Sequence, residues 1–160
     1  MARQGWASGR AARDTGRVMS EESTTPDPVE SARPLFEAIE RRDIDATMQH
    51  YAPDAVMDLT RTLGVALEGR EAIGRFLEDW LVGYEAVEYA ADEISDLGNG
   101  VEFAVVLQTA RPLGTTGSVQ LREGVVVVYA QGLIARHTVY PHSDIAEARA
   151  AAERLAEERG

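Results

Sequence analysis

Apolar positions in the first half of the chain recur at helical spacing. Leu35, Phe36, Ile39, Ile44 and Met48 fall close to an i, i+3, i+4 pattern, which predicts helix across residues 28–51 with one face buried. Two starts fit Pro34, because proline lacks an N–H and clashes with the preceding turn. Either the regular helix begins near Ser31 with Pro34 in its first turn, or it begins earlier, capped at Asp27, and kinks. Arg41-Arg42-Asp43 reads as a break before a short second helix over 43–50, followed by a strand over 55–59 and a loop over 64–69. Helix returns over 71–82, where Ile73, Phe76, Leu77, Trp80 and Leu81 make an apolar stripe.

The second half changes period. Residues 87–94, 101–110, 119–129 and 133–140 read as four strands, divided by Gly98-Asn99-Gly100, Gly114-Thr115-Thr116-Gly117 and Gln131-Gly132. Strands joined by tight turns form an antiparallel meander. Asp144, with Glu147 three residues on, caps a last helix over 145–159 whose alanine-rich body suits a largely exposed position. This order predicts an α+β fold, helices gathered on one side of the sheet and a concave pocket between them. Residues 1–26 show neither period and read as a disordered tail, leaving a domain over 27–160. Within that tail Met19 opens a polar stretch, Met-Ser-Glu-Glu-Ser-Thr-Thr-Pro, and is the expected translation start.

Composition narrows the chemistry. All 16 basic residues are arginine, there is no cysteine, and the histidines are His50, His137 and His142. Lysine Schiff bases, phosphate-loop lysines, thiol nucleophiles and thiolate metal sites are therefore excluded. Carboxylate, histidine, tyrosine and arginine chemistry remains. The net charge of −11 opposes nucleic acid and anionic membrane surfaces, and since the first 18 residues hold four arginines against Asp14, the remainder carries −14. No apolar run is long enough to span a membrane or to act as a secretory signal, so the expected location is the cytoplasm.

Four strings in order carry a resemblance: residues 35–45 (LFEAIERRDID), Tyr51-Ala52-Pro53-Asp54-Ala55-Val56, Glu68-Gly69-Arg70-Glu71-Ala72-Ile73, and Gly132-Leu133-Ile134-Ala135-Arg136 leading to Tyr140. Together they resemble the SnoaL-like, ketosteroid-isomerase-like branch of the nuclear transport factor 2 (NTF2)-like superfamily over residues 29–158. The resemblance implies a cone-shaped, curved mixed sheet wrapped around N-terminal helices, with a C-terminal helix, a deep apolar pocket for a small organic ligand, no cofactor, and a homodimer. Such a fold serves isomerases, hydrolases, cyclases and binding proteins alike.

The same resemblance tests site residues one by one. It puts Leu35 where ketosteroid isomerases have an oxyanion tyrosine, Leu59 at their base with Asp58 one residue short, and Val126 near their oxyanion aspartate. One step along a strand turns a side chain to the other face, so the offset of Asp58 matters. Against limonene-epoxide hydrolase, Val139 stands at an aspartate position, and Arg122-Glu123 only echoes an Arg-x-Asp. Glu123 is the nearest match to the acid of SnoaL cyclases. The implied facing of the last strand sends Ala135, His137 and Val139 into the pocket. Across a regular two-residue hairpin, Arg122, Gly124, Val126 and Val128 would share that face.

The candidate catalytic set is His137 as acid/base with Asp58 or Glu123 assisting, and the candidate ligand-binding set is Trp80, Tyr84, Arg122, Val126 and Val139. Burial favours neutral histidine, suited to a general base or to an anchor for a ligand carbonyl. A hydrogen-bonded core role fits His137 as well, and Tyr51, Trp80 and Tyr84 read as core. His137 and His142 are separated by Pro141, and no metal site is expected. Two functions follow: a cofactor-free isomerase, cyclase or hydrolase, or a non-catalytic ligand-binding or dimerisation module.

Overall fold

The amphipathic stripes of the first half need a partner surface, and the valine-rich strands of the second half supply it. A computed structural model describes residues 27–160, in two units that divide after Ser31; the expected tail and the Met19 start lie outside the described residues. Helix α1 (Pro28–Glu40) takes the earlier of the two starts: the Asp27 carboxylate accepts from Val29 N at 3.0 Å, and Pro34 sits inside the helix. Arg42 then adopts φ 62° and ends it. Asp43 caps α2 (Ile44–Met48), accepting from Ala46 N at 3.1 Å.

Six strands follow: β1 (Tyr51–Leu59), β2 (Val65–Glu68), then, after α3 (Arg70–Leu81), β3 (Tyr84–Gly98), β4 (Val101–Pro112), β5 (Val119–Ala130) and β6 (Leu133–Tyr140). The sheet order is β2-β1-β6-β5-β4-β3, antiparallel except that β1 runs parallel to β6. The expected meander is present, lengthened at both ends of β3. β2 replaces part of the expected loop over 64–69, because the 59–65 turn brings Val65 opposite Leu59.

The expectation of helices on one side only needs correcting. Within Ala32–Gly160, Leu35, Ile39, Ile73 and Leu77 pack against one sheet face with Met57, Val125, Val127 and Val139. On the opposite face α4 (Ile145–Glu158) buries Ala148, Ala152 and Ala156 against Val101, Phe103, Val105 and Val126. The run Val125-Val126-Val127-Val128 is buried throughout, the signature of a strand covered on both sides. Alanine at every fourth position gives α4 a flat stripe that lies close to the sheet. Gly124 permits that approach, since a Cβ there would stand 3.0 Å from the Ala148 Cβ and 3.4 Å from Ile145. Asp144 does not cap α4 with its side chain; a 3-10 turn at His142–Asp144 leads into the helix instead.

One irregularity positions the site. The Gln131-Gly132 hairpin pairs Ala130 with Leu133 and Tyr129 with Ile134, but Val128 then faces Arg136, so Ala135 is an extra residue in β6. This bulge moves the register by one. His137 therefore opposes Val127, not Val126 as a regular hairpin would have it, and Val139 opposes Val125.

Candidate functional site

A cavity of about 180 Å³ opens between α1, α3 and the inner sheet face. Its walls are mostly apolar: Ile39, Met57, Leu59, Phe76, Leu77 and Val139 among them. Polar groups enter at two places. His137 and Tyr51 stand at one, and Glu123, Gln108 and Tyr89 at the other, with Thr62 also in the wall. The inner faces of β3, β4 and β5 set the second group, since Tyr89 pairs with Gln108 and Gln108 with Leu121, one side-chain row from Glu123.

Tyr51 begins β1, is 1% exposed, and has its carbonyl held by Arg70 Nε at 3.1 Å. Its hydroxyl lies 3.0 Å from His137 Nδ1, the two rings nearly parallel at 6°. The hydroxyl has no other partner among the described residues, so donating its proton to Nδ1 satisfies both groups. The ring proton of a neutral His137 then sits on Nε2, a donor. Burial depresses the His137 pKa from 6.5 to about 4 and pushes the Tyr51 phenol well above its usual range, so both stay uncharged near neutral pH. Sequence reasoning placed Tyr51 in the core and missed this partnership. Only the parallel β1–β6 pairing joins residues 86 apart.

Glu123 lines the cavity with no hydrogen bond or ion pair among the described residues, and burial raises its pKa. Gln108, 7% exposed, likewise has an amide without a side-chain partner there. Neither Gln108 nor Tyr89 was a sequence candidate; a lone glutamine in an apolar strand is the signal that could have found the first.

Trp80 and Val139 also line the cavity. Tyr84 does not: it begins β3, and its ring lies 4.8 Å from that of Trp80. Val126 faces α4, and Arg122 turns outward to bond Asp92 at 3.0 Å, both moved off the inner face by the bulge at Ala135. Asp58 faces away as well, pairing with Thr138 while its neighbour Met57 pairs with His137. Its carboxylate accepts from the Thr60 hydroxyl at 2.6 Å, Thr60 N at 3.0 Å and Arg136 at 2.9 Å. Those bonds, the Thr60 hydroxyl first, hold its pKa below the usual range. Asp58 and His137 thus do not share a cavity. Among the described residues no three His, Asp or Glu side chains cluster as metal ligands, and no helix is long and apolar enough to cross a membrane.

The SnoaL-like domain model matches residues 32–137, two thirds of the sequence and nearly all of the inner-face elements. The chain belongs to the SnoaL-like domain family. Among curated proteins no sequence matches this SnoaL-like domain. Solved structures share its NTF2-like fold at low identity. A protein with a ketosteroid isomerase-like fold from Catenulispora acidiphila, in complex with trimethylamine, superposes with TM-score 0.63 at 13% identity, covering 72% of this chain and 86% of that one. A Mycobacterium tuberculosis protein in complex with estradiol-17β-hemisuccinate gives 0.61 at 16%, over 75% and 98%. An LEH-like epoxide hydrolase, also from M. tuberculosis, gives 0.59 at 13%, over 82% and 96%.

Proposed function

We propose that this SnoaL-like domain binds a small, mostly apolar organic molecule whose carbonyl or equivalent oxygen accepts a hydrogen bond from His137 Nε2. The observation that carries this reading is the 3.0 Å contact between the Tyr51 hydroxyl and His137 Nδ1 within apolar walls. It turns a neutral imidazole into a fixed donor, and a fixed donor between apolar walls is worth more than one in water. Related folds from Catenulispora acidiphila and Mycobacterium tuberculosis hold small molecules, which supports the same use here.

A catalytic reading draws on Glu123. A desolvated carboxylate with no partner is a better base than a solvated one, and a base sharing a cavity with a carbonyl donor is the arrangement needed to remove a proton next to that carbonyl. Cofactor-free isomerase or cyclase chemistry follows, with Glu123 taking the proton and His137 stabilising the enolate oxygen as the acid partner. The competing module reading is favoured by Leu59 and Val139, apolar side chains on the cavity wall at positions where the family resemblance implies acids.

Nitrogen NMR of His137 during titration with hydrophobic ketones tests the binding step. The Nε2–H signal moves with every ketone that enters the cavity; a signal indifferent to ligands that demonstrably bind removes His137 from the reading. Hydrogen–deuterium exchange at the carbon next to the ketone tests catalysis. Exchange by the wild type that is lost in Glu123→Gln supports an enzyme, whereas ketone binding without exchange favours the module.

A further inference from the structure

Among the residues that line the cavity Glu123 is the one acid, and the one basic side chain, His137, is held neutral by burial. Glu123 shares the wall with Tyr89, whose phenol pKa is raised by burial first and then by the charge of Glu123, and Phe76 and Trp80 add two more aromatic rings. Arginine is the chain's only cationic side chain apart from histidine, and none lines this space. The neighbouring Arg122 is turned to the other sheet face and engaged by Asp92. Gln108, more than nine-tenths buried, presents a further amide with no side-chain partner among the described residues. A carboxylate taken out of water without a cation is costly, and aromatic faces attract cations but not anions.

We propose that the molecule held in the cavity is a hydrophobic ammonium compound, its cationic group facing Glu123 and the Tyr89, Phe76 and Trp80 rings. This rests on the cavity being a small-molecule site, as argued above, and names its ligand class. The ammonium supplies the charge that the protein withholds. Its acceptor oxygen reaches His137 Nε2 across the apolar walls. Carboxylates, phosphates and other anions are disfavoured by the same uncompensated acid.

A matched pair of probes separates charge from shape: para-acetylphenyl-trimethylammonium and para-tert-butylacetophenone have nearly the same size and the same ketone. Calorimetric titration of the full chain near neutral pH is expected to show the cation binding about tenfold more tightly. Glu123→Gln abolishes the preference, bringing the cation's affinity down to that of the neutral ketone. A cation that binds no better than the neutral ketone, while that ketone still shifts His137, overturns the ammonium assignment and leaves the cavity reading standing. Failure of both probes to enter the cavity overturns both. If the variant does not fold, carboxyl NMR of the wild type decides. The cation lowers the Glu123 pKa and the neutral ketone does not; an unchanged pKa overturns the proposal.

Discussion

The Tyr51 hydroxyl lies 3.0 Å from His137 Nδ1, and as the donor it both satisfies a buried ring nitrogen and keeps the ring proton on Nε2. Tyr51→Phe removes both effects. The expected loss is about 1–2 kcal/mol in urea unfolding, since one buried nitrogen is left unpaired. Ring nitrogen NMR should also change from a single Nε2–H form to a mixture; a single unchanged tautomer would show that other contacts set it. His137 further makes stability depend on pH. Its folded pKa, about 4, lies below the unfolded value of 6.5, so between these limits the unfolded chain binds more protons. Its contribution is complete above pH 6.5 and is lost as pH falls through about 4. His137→Asn should flatten the fall in urea midpoint across that window. Asp58, with its carboxyl held below 3.8, acts only at lower pH and should leave the window unchanged when replaced by Asn.

At the scale of elements, the alanine stripe of α4 is a packing device that composition alone misreads. Ala148 and Ala152 are fully buried, although a helix so rich in alanine and charge looks solvent-facing in sequence. Ala152→Leu is expected to cost about 1–3 kcal/mol by overpacking, while Ala146→Leu on the exposed side stays within about 0.5 kcal/mol; chemical denaturation measures both. The bulge at Ala135 matters more for function. It was not legible because a Gln-Gly turn specifies how the hairpin closes and not whether the ladder beyond it stays regular. That one residue exchanges Val126 for Val127 opposite His137 and brings Glu123 inward in place of Arg122. The pocket gains an acid and loses a base.

For the whole molecule, a ligand that fills the cavity bridges α1, α3 and the sheet and binds only the folded state. At about a hundredfold excess over its dissociation constant it should stabilise by about 2.7 kcal/mol, seen as a concentration-dependent rise in melting temperature. The homodimer implied by family resemblance belongs to this scale too: sedimentation of the full chain should show twice the monomer mass of 17.4 kDa, and a monomer at high concentration would remove it. Hydrophobic periodicity and turn residues by themselves determined the α+β class and the helix–strand order apart from β2, and composition excluded lysine and thiol chemistry, because none of these depends on contacts between distant residues. His137 was visible as a histidine within an apolar strand, its facing implied by the family resemblance, and Glu123 only through that resemblance. Which groups meet was decided only by tertiary structure. The Tyr51–His137 bond requires the parallel β1–β6 pairing, the inward turn of Glu123 requires the bulge, and the separation of Asp58 from the cavity requires a register that local spacing does not encode.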